Sequence, residues 1–230
     1  MEKAGLNIPF HGAGPQLQLS VDTILEHLNK QILFRARWKT EGNAEQLLQH
    51  LLRDPRVLES IRPEAVYGYF PACRKADGLL VADQVYWEFP VLKGKRLSEY
   101  FRNAEEGGGY LALSAVTIGA GAVSLSQEYY RRRDYAEYFL LYGLAAELTE
   151  TLAEYVNRYI NSELGISSSL RRSFGYPACP DLAYQRELLD LLQAERIHLH
   201  LSGGKQLIPE FSTTALIFLN ADPRDGEEDE

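Results

Sequence analysis

Between Asp134 and Leu164 the chain runs for roughly eight helical turns without a proline. Tyr138, Leu141, Tyr142, Ala145, Leu148, Leu152, Tyr155, Val156 and Ile160 recur there at spacings of three and four, the period of a helix with one buried face. The pattern predicts a single long helix over about 134–164, capped at its C-terminus by Gly165. The rest of the chain has the apolar content to bury it. Of 230 residues, 45% are hydrophobic and 24% charged, which excludes disorder for most of the chain and fits one large domain or two small ones.

Several functional classes fall away on composition. The longest weakly polar run, Leu111 to Leu125, is interrupted by Ser, Thr and small residues and is short of the roughly 20 apolar residues that a membrane-crossing helix needs. The opening MEKAGLNIPFHGAG has no apolar core of a secretion signal, so a cytoplasmic location is expected. Two cysteines, Cys73 and Cys179, each follow Pro-Ala, and in a reducing compartment they stay free thiols. A net charge of −8 repels phosphate backbones, and the densest basic run, Arg131-Arg132-Arg133, sits among acidic residues. Nucleic acid is therefore excluded as a partner. Residues 223–230 are too acidic to bury and are expected to form a disordered tail.

Shorter segments surround the long helix. Val21, Ile24, Leu25, Leu28, Ile32 and Leu33 predict a first helix after an N-terminal extension over 1–20. A second spans Asn43 to Ser60 with Leu47, Leu48, Leu51 and Leu52 inward and a break or restart at Asp54-Pro55. AVYGYF at 65–70 reads as a short strand bounded by Pro63 and Pro71. Leu79 to Phe89 and Tyr110 to Ile118 read as further strands, separated by turn-formers at Lys93-Gly94 and Gly107-Gly108-Gly109. A serine-rich loop over 167–173 leads to Gly175-Tyr176-Pro177-Ala178-Cys179-Pro180. Asp181 then caps a helix over 182–194, and strands follow at 197–201 and 215–220. The expected fold is α+β, a mainly antiparallel sheet flanked by helices, with one domain over 21–222.

No phosphate loop, nucleophile elbow or His-Glu-x-x-His occurs. His198 and His200 alternate on an expected strand, a spacing compatible with a shared metal, but they lack a third ligand and read more plainly as a solvated face. Glu147, Glu150 and Glu154 share one face of the long helix, where they either meet a cationic ligand or face water. Gly119-Ala120-Gly121 reads as a tight turn requiring positive φ. Tyr67, Tyr69, Phe70, Tyr86, Trp87 and Phe89 read as core aromatics rather than a cofactor cleft. The loop GYPACP is left without a packing explanation: two prolines fix φ, and Arg171, four residues earlier, carries a planar donor fork suited to a carboxylate.

RPEAVYGYFPA at Arg62 to Ala72, Arg171 with GYPACP, and LAEYVNRYI ending the long helix together resemble one family, the reactivation domain of cobalamin-dependent methionine synthase. The likeness runs in the same order from the first helix to the strand around Phe218. It implies a curved antiparallel sheet with helices, a shallow groove for S-adenosylmethionine, and a face that caps a corrinoid carried by another domain. It also implies an accessory role: with an electron from a flavodoxin-like donor and a methyl from S-adenosylmethionine, cob(II)alamin is returned to methylcobalamin. Matched residue by residue, Arg171 falls on the arginine that pairs with the methionyl carboxylate and Glu150 on a ligand-binding glutamate. Ser173 and Gly175 fall on positions offering backbone groups to the adenosyl part, and Tyr176 with Pro177 on the corrinoid-facing loop. No metal ligand is implied.

Two departures accompany the resemblance. The family's first ligand-binding acid is replaced near Asn29, Lys30 and Gln31, and the sequence turns acidic soon after Phe218, where the family continues with a tyrosine against its ligand. The main expectation is a free-standing reactivation protein that binds S-adenosylmethionine and docks on a corrinoid protein in methionine synthesis or one-carbon methyl transfer. The alternative is a non-catalytic module that caps or chaperones a corrinoid protein without binding S-adenosylmethionine, as a lysine repelling the sulfonium at position 30 and the change after Phe218 would both favour.

Overall fold

A computed structural model describes residues 6–40, 42–92 and 94–219. Expectations for the tail over 223–230 and for Lys93 lie outside these residues. In chain order the elements are β1 (Gly12–Gln18), α1 (Val21–Glu26), α2 (Lys30–Ile32), a π turn (Leu33–Arg37), α3 (Ala44–Leu52), α4 (Pro55–Ser60), β2 (Glu64–Lys75), β3 (Gly78–Val81) and β4 (Val85–Glu88). Then come β5 (Gly109–Thr117), α5 (Ala120–Arg132), α6 (Tyr135–Leu164), β6 (Ser169–Ser173), α7 (Gln185–Leu192), β7 (His200–Leu201), β8 (Leu207–Ile208) and β9 (Ser212–Leu219).

Among the described residues seven strands form one sheet in the order β4-β3-β2-β5-β9-β6, with β1 also on β2, and each of these strand pairings is antiparallel. Successive side chains of a strand point to opposite faces, and here both faces are buried. Ala65, Tyr67 and Tyr69 of β2, Ala112 and Val116 of β5, and Ala215 and Ile217 of β9 meet the layer built from α1, α3, α4, α5 and α6. Val66, Phe70, Leu111, Leu113, Leu216 and Phe218 turn the other way, against Trp87, Leu188, Leu192 and Ile197. The α+β architecture is as expected.

The long helix is the organising element. Asp134 precedes it, no proline interrupts its 30 residues, and Gly165 ends it at φ 62°, with its N–H donated to the carbonyls of Asn161 and Ser162. Leu141, Leu144, Ala145, Leu148, Leu152, Val156 and Ile160 are fully buried along one face, worth roughly 1.5–3 kcal/mol for each large side chain. Near its start Gly143 lets the Trp38 indole lie directly on the helix backbone, where Nε1 donates to the Leu140 carbonyl at 3.0 Å.

Several local expectations are corrected. Part of the stretch 1–20 is not an extension: Gly12–Gln18 pairs with β2. The first helix is broken, because Asn29 accepts the Ile32 N–H at 3.1 Å and restarts the chain as α2. Strand β2 continues through Pro71 to Lys75. The Pro71 carbonyl accepts from Ala82 N–H, and a residue's N and C=O share one side of an antiparallel strand. The proline nitrogen therefore faces the gap between the ends of β1 and β3, where no donor is needed. The expected strand over 79–89 is a hairpin, turned by Ala82 and Asp83 at positive φ.

Others follow from packing that composition does not reveal. Helix α5 went unread; Gly119 stands before it at φ 85°, and a Cβ on Gly121 would sit 2.4 Å from the Ser60 carbonyl. The serine-rich segment is strand β6, held by its register with β9. Asp181 does cap, accepting from Ala183 N–H at 2.8 Å, but its helix begins as a 3-10 turn and stops at Leu192 with Gln193 at φ 52°. The strand expected over 197–201 is a 3-10 turn, Ala194–Ile197, then His198 at φ 57°, leaving only His200–Leu201 extended.

A methyl group at Gly143 would meet the Trp38 ring at 2.7 Å. Overpacking of this kind costs about 1–3 kcal/mol, so Gly143→Ala is expected to lower the melting temperature by several degrees at roughly 2–4 °C per kcal/mol. Thermal unfolding followed by tryptophan emission measures it, and an unchanged transition would contradict the seating of Trp38.

Candidate functional site

A groove of about 670 Å³ lies along one flank of α6. One wall comes from the broken first helix, with His27, Asn29, Ile32 and Arg37; the other is α6 itself, with Glu147, Glu150, Thr151, Glu154 and Arg158. Arg171 of β6 and the loop residues Tyr176 and Pro177 complete the lining. Three contacts tie the walls together: Trp38 to the Leu140 carbonyl, Arg37 Nε to Glu147 Oε2 at 3.2 Å, and the His27 ring against Tyr155 at 5.3 Å.

Strand alternation aims Arg171. Leu170 is buried in the core of the opposite face, so Arg171 points toward α6 and Arg172 away from it. Its Nη2 donates to Glu150 Oε2 at 3.0 Å, its Nη1 to Ser173 Oγ at 3.3 Å, and its Nε stands 3.9 Å from Glu154 Oε2. The fork is therefore held by flanking groups while one edge stays at the groove. Glu154 is also 4.0 Å from Arg158. Glu147 is 3% exposed; burial pushes its carboxyl above the ordinary carboxylate range, and Arg37 pulls it part of the way back.

Gly175 shapes the loop. It sits at φ 92°, a region costly for other residues, and donates its N–H to the Cys179 carbonyl at 2.9 Å. Cys179 returns its own N–H to Tyr176 O at 2.9 Å. This tight turn leaves the Tyr176 side chain 52% exposed beside Pro177. Beneath it the Cys179 thiol is buried and pushed up to about 12, which keeps it protonated.

Of the residues singled out in the sequence, Glu150, Arg171, Tyr176 and Pro177 converge on the groove, with Glu147 and Glu154 beside them. Ser173 reaches it only through Arg171, and Gly175 acts on it through the turn. Lys30 does not face it: its ammonium pairs with Glu45 at 2.9 Å on the outer side of the helix, whereas Asn29 lines the groove. Arg37, Arg158 and His27 went unread, since only the packing of α1 and the π turn on α6 brings them in. His198 and His200 are both exposed and not on a common strand, and no group of three potential metal ligands occurs among the described residues. Gly119 makes the expected positive-φ turn, and of the six aromatics only Tyr86 is appreciably exposed.

Fold and groove together define a class: an α+β domain with a charge-lined groove on the flank of its long helix. No helix among the described residues is long and apolar enough to cross a membrane. The chain matches the model of the activation domain of vitamin B12-dependent methionine synthase over residues 16–225, and it belongs to that family. It is 31% identical to the methionine synthase of Mycobacterium tuberculosis and 28% identical to that of Mycobacterium leprae. Each alignment covers 91% of this chain and 22% of the relative, so the chain spans about a fifth of the length of these proteins. A crystal structure of the MetH reactivation domain bound to AdoHcy shares the fold with a TM-score of 0.79 at 18% identity, covering 94% of this chain and 81% of that one.

The raised carboxyl of Glu147 has a sign that can be measured. Burial favours its protonated form in the folded state, so its contribution to stability is present at low pH. That contribution is lost as pH rises from the ordinary carboxylate value, about 4.3, through the raised folded value. Glu147→Gln cannot ionise, and the melting temperature of the variant minus that of the wild type is expected to grow across this interval and then level off. A difference independent of pH would mean that Arg37 fully compensates the burial.

Proposed function

We propose that the groove binds S-adenosylmethionine and that the adjoining loop face meets a corrinoid-bearing domain, supporting its reductive methylation. The observation that carries this reading is the convergence on a single groove of Glu150 from α6 with Arg171, 21 positions later on β6, and with Tyr176 and Pro177 of the loop that follows. Arg171 has unused N–H donors for a bidentate contact with the methionyl carboxylate. Glu150 and Glu154 stand within reach of the same fork and supply negative charge for the amino group and sulfonium. The groove lining holds three arginines and three glutamates, a balance that favours a zwitterionic ligand over a bare cation or anion, and its volume lies in the range of small-molecule sites.

The chain's own part in the reaction is positioning. Cobalamin bound to the partner domain supplies the methyl acceptor, and a flavodoxin-like protein supplies the electron. Arg171 fixes one end of the methyl donor, the acidic flank of α6 accommodates its positive charge, and Tyr176 with Pro177 presents an exposed, rigid edge to the corrinoid. Lys30 pairs with Glu45 and does not enter the groove, which removes one of the two features that favour a module unable to bind the ligand; the other is the acidic sequence after Phe218.

Calorimetric titration tests the reading. Wild-type protein is expected to bind S-adenosylmethionine and to gain about 2.7 kcal/mol of stability at a hundredfold excess over Kd. Arg171→Ala is expected to weaken binding by about 2 kcal/mol, roughly 30-fold, with the far-UV spectrum unchanged, while Arg172→Ala on the opposite face of β6 leaves the affinity near wild type. No heat and no melting shift with millimolar ligand would overturn the assignment.

The loop has its own measurement. Tyr176→Ala is expected to leave ligand binding intact but weaken association with the cobalamin domain of methionine synthase, followed by co-elution and by the cobalt absorption spectrum. Equal association of variant and wild type would remove Tyr176 from the contact.

A further inference from the structure

The N-terminal half of α6 carries a second surface. Tyr130 at the end of α5 is 56% exposed, and Tyr135, Phe139 and Tyr142 on α6 are 55%, 49% and 37% exposed. The tyrosine rings form one stripe, with Tyr130 5.5 Å from Tyr135 and 5.3 Å from Tyr138, and Tyr138 5.8 Å from Tyr142; Phe139, four residues after Tyr135, lies on the same side of the helix. At 100° and 1.5 Å per residue this stripe is turned roughly 130° from the groove face and displaced about 18 Å along the helix. It is no part of the groove.

Large aromatics exposed together mark an interaction site, and the charges beside these have a direction. Arg131 and Arg133 are exposed at the Tyr130 end, and neither pairs with a carboxylate among the described residues; Arg131 donates only to the Gln127 carbonyl. At the other end Glu210 is exposed, and its Oε1 accepts the Tyr142 hydroxyl at 2.5 Å. Arg132, between the two arginines, is matched by Glu128 and Asp134, and Glu137 lies near His50. The charges left over are therefore Arg131 and Arg133 at one end and Glu210 at the other, an arrangement complementary to itself when turned end for end.

We infer that this face is an isologous contact with a second copy of the chain. The two α6 helices run antiparallel, Phe139 packs on its counterpart at the dyad, Tyr135 meets Tyr142, and Arg131 and Arg133 face Glu210. Two-fold symmetry requires such reciprocal contacts. The area fits a weak dimer: half-exposed, four aromatics offer roughly 400 Å² per copy, about 800 Å² for the pair, in the range below about 1,200 Å² where weak, transient contacts lie. Both grooves and both Tyr176 loops stay open in this arrangement.

Sedimentation velocity of the full chain from about 1 to 200 μM tests it, a range that spans micromolar dissociation constants. Concentration-dependent dimers are expected, with Phe139→Glu raising the dissociation constant at least tenfold while the circular dichroism stays unchanged. Glu210→Arg and the paired change Arg131→Glu with Arg133→Glu should each weaken the dimer, and the three together should restore it. A wild-type chain that stays monomeric throughout, or dimers that persist in Phe139→Glu, would overturn the surface. Failure of the combined reversal to restore association would overturn the antiparallel pairing.

Discussion

One face of α6 is buried along the antiparallel sheet, and most of what this chain can do follows from that contact. The helix is held on its inner side by Leu141, Leu144, Leu148, Leu152, Val156 and Ile160 over Ala65, Tyr67, Ala112, Val116, Ala215 and Ile217. A helix so fixed cannot rotate, because each turn about its axis would carry leucines into water and glutamates into the core. Its other faces therefore present constant sets of side chains to the surroundings. Glu150 and Glu154 are aimed at Arg171 by the burial of their neighbours, not by any attraction of their own. Surface ion pairs of that kind are worth little by themselves.

The groove exists because a second element leans on the same helix. Trp38 rests on Gly143 and Arg37 reaches Glu147, and both residues are delivered by the π turn Leu33–Arg37. Turns of this type insert an extra residue into a helix and are common at functional positions. Here the turn directs neighbouring side chains to separate anchor points on α6 and holds Asn29 and Ile32 across from the glutamates. The lining is completed by β6, an edge strand whose only partner among the described residues is β9. Arg171 thus depends on a register set by Leu216 to Leu219, in the last described strand.

How much of this was legible in the sequence varies with the range of the interaction. The period of apolar residues over 134–164 specified α6 and its glycine cap, and Asp54-Pro55 marked the restart between α3 and α4, because helical periodicity, capping and proline stereochemistry are local. The resemblance in GYFPA and GYPACP led to the family to which the chain belongs. Strand β6 was unreadable because Ser-Leu-Arg-Arg-Ser has little intrinsic strand preference and is extended only by pairing with β9. Helix α5 was hidden because its opening glycine and alanine residues signal a turn until Ser60 is known to lie against Gly121. For His198 and His200 the alternation assumed a strand that the 3-10 turn before them interrupts.

The sequence by itself determined the long helix, the α+β class, and the candidates Glu150, Arg171 and Tyr176. Only the tertiary structure decided that these three meet, that Lys30 turns outward to Glu45 while Asn29 faces the groove, and that Arg37 and Arg158 join them. The physical reason is separation along the chain. Arg37 and Glu147 lie 110 positions apart and Glu150 and Arg171 lie 21 apart, and no local preference encodes the direction of a side chain across such distances. That direction is set when the sheet register and the buried face of α6 are fixed together, each by apolar area that has no alternative place to go.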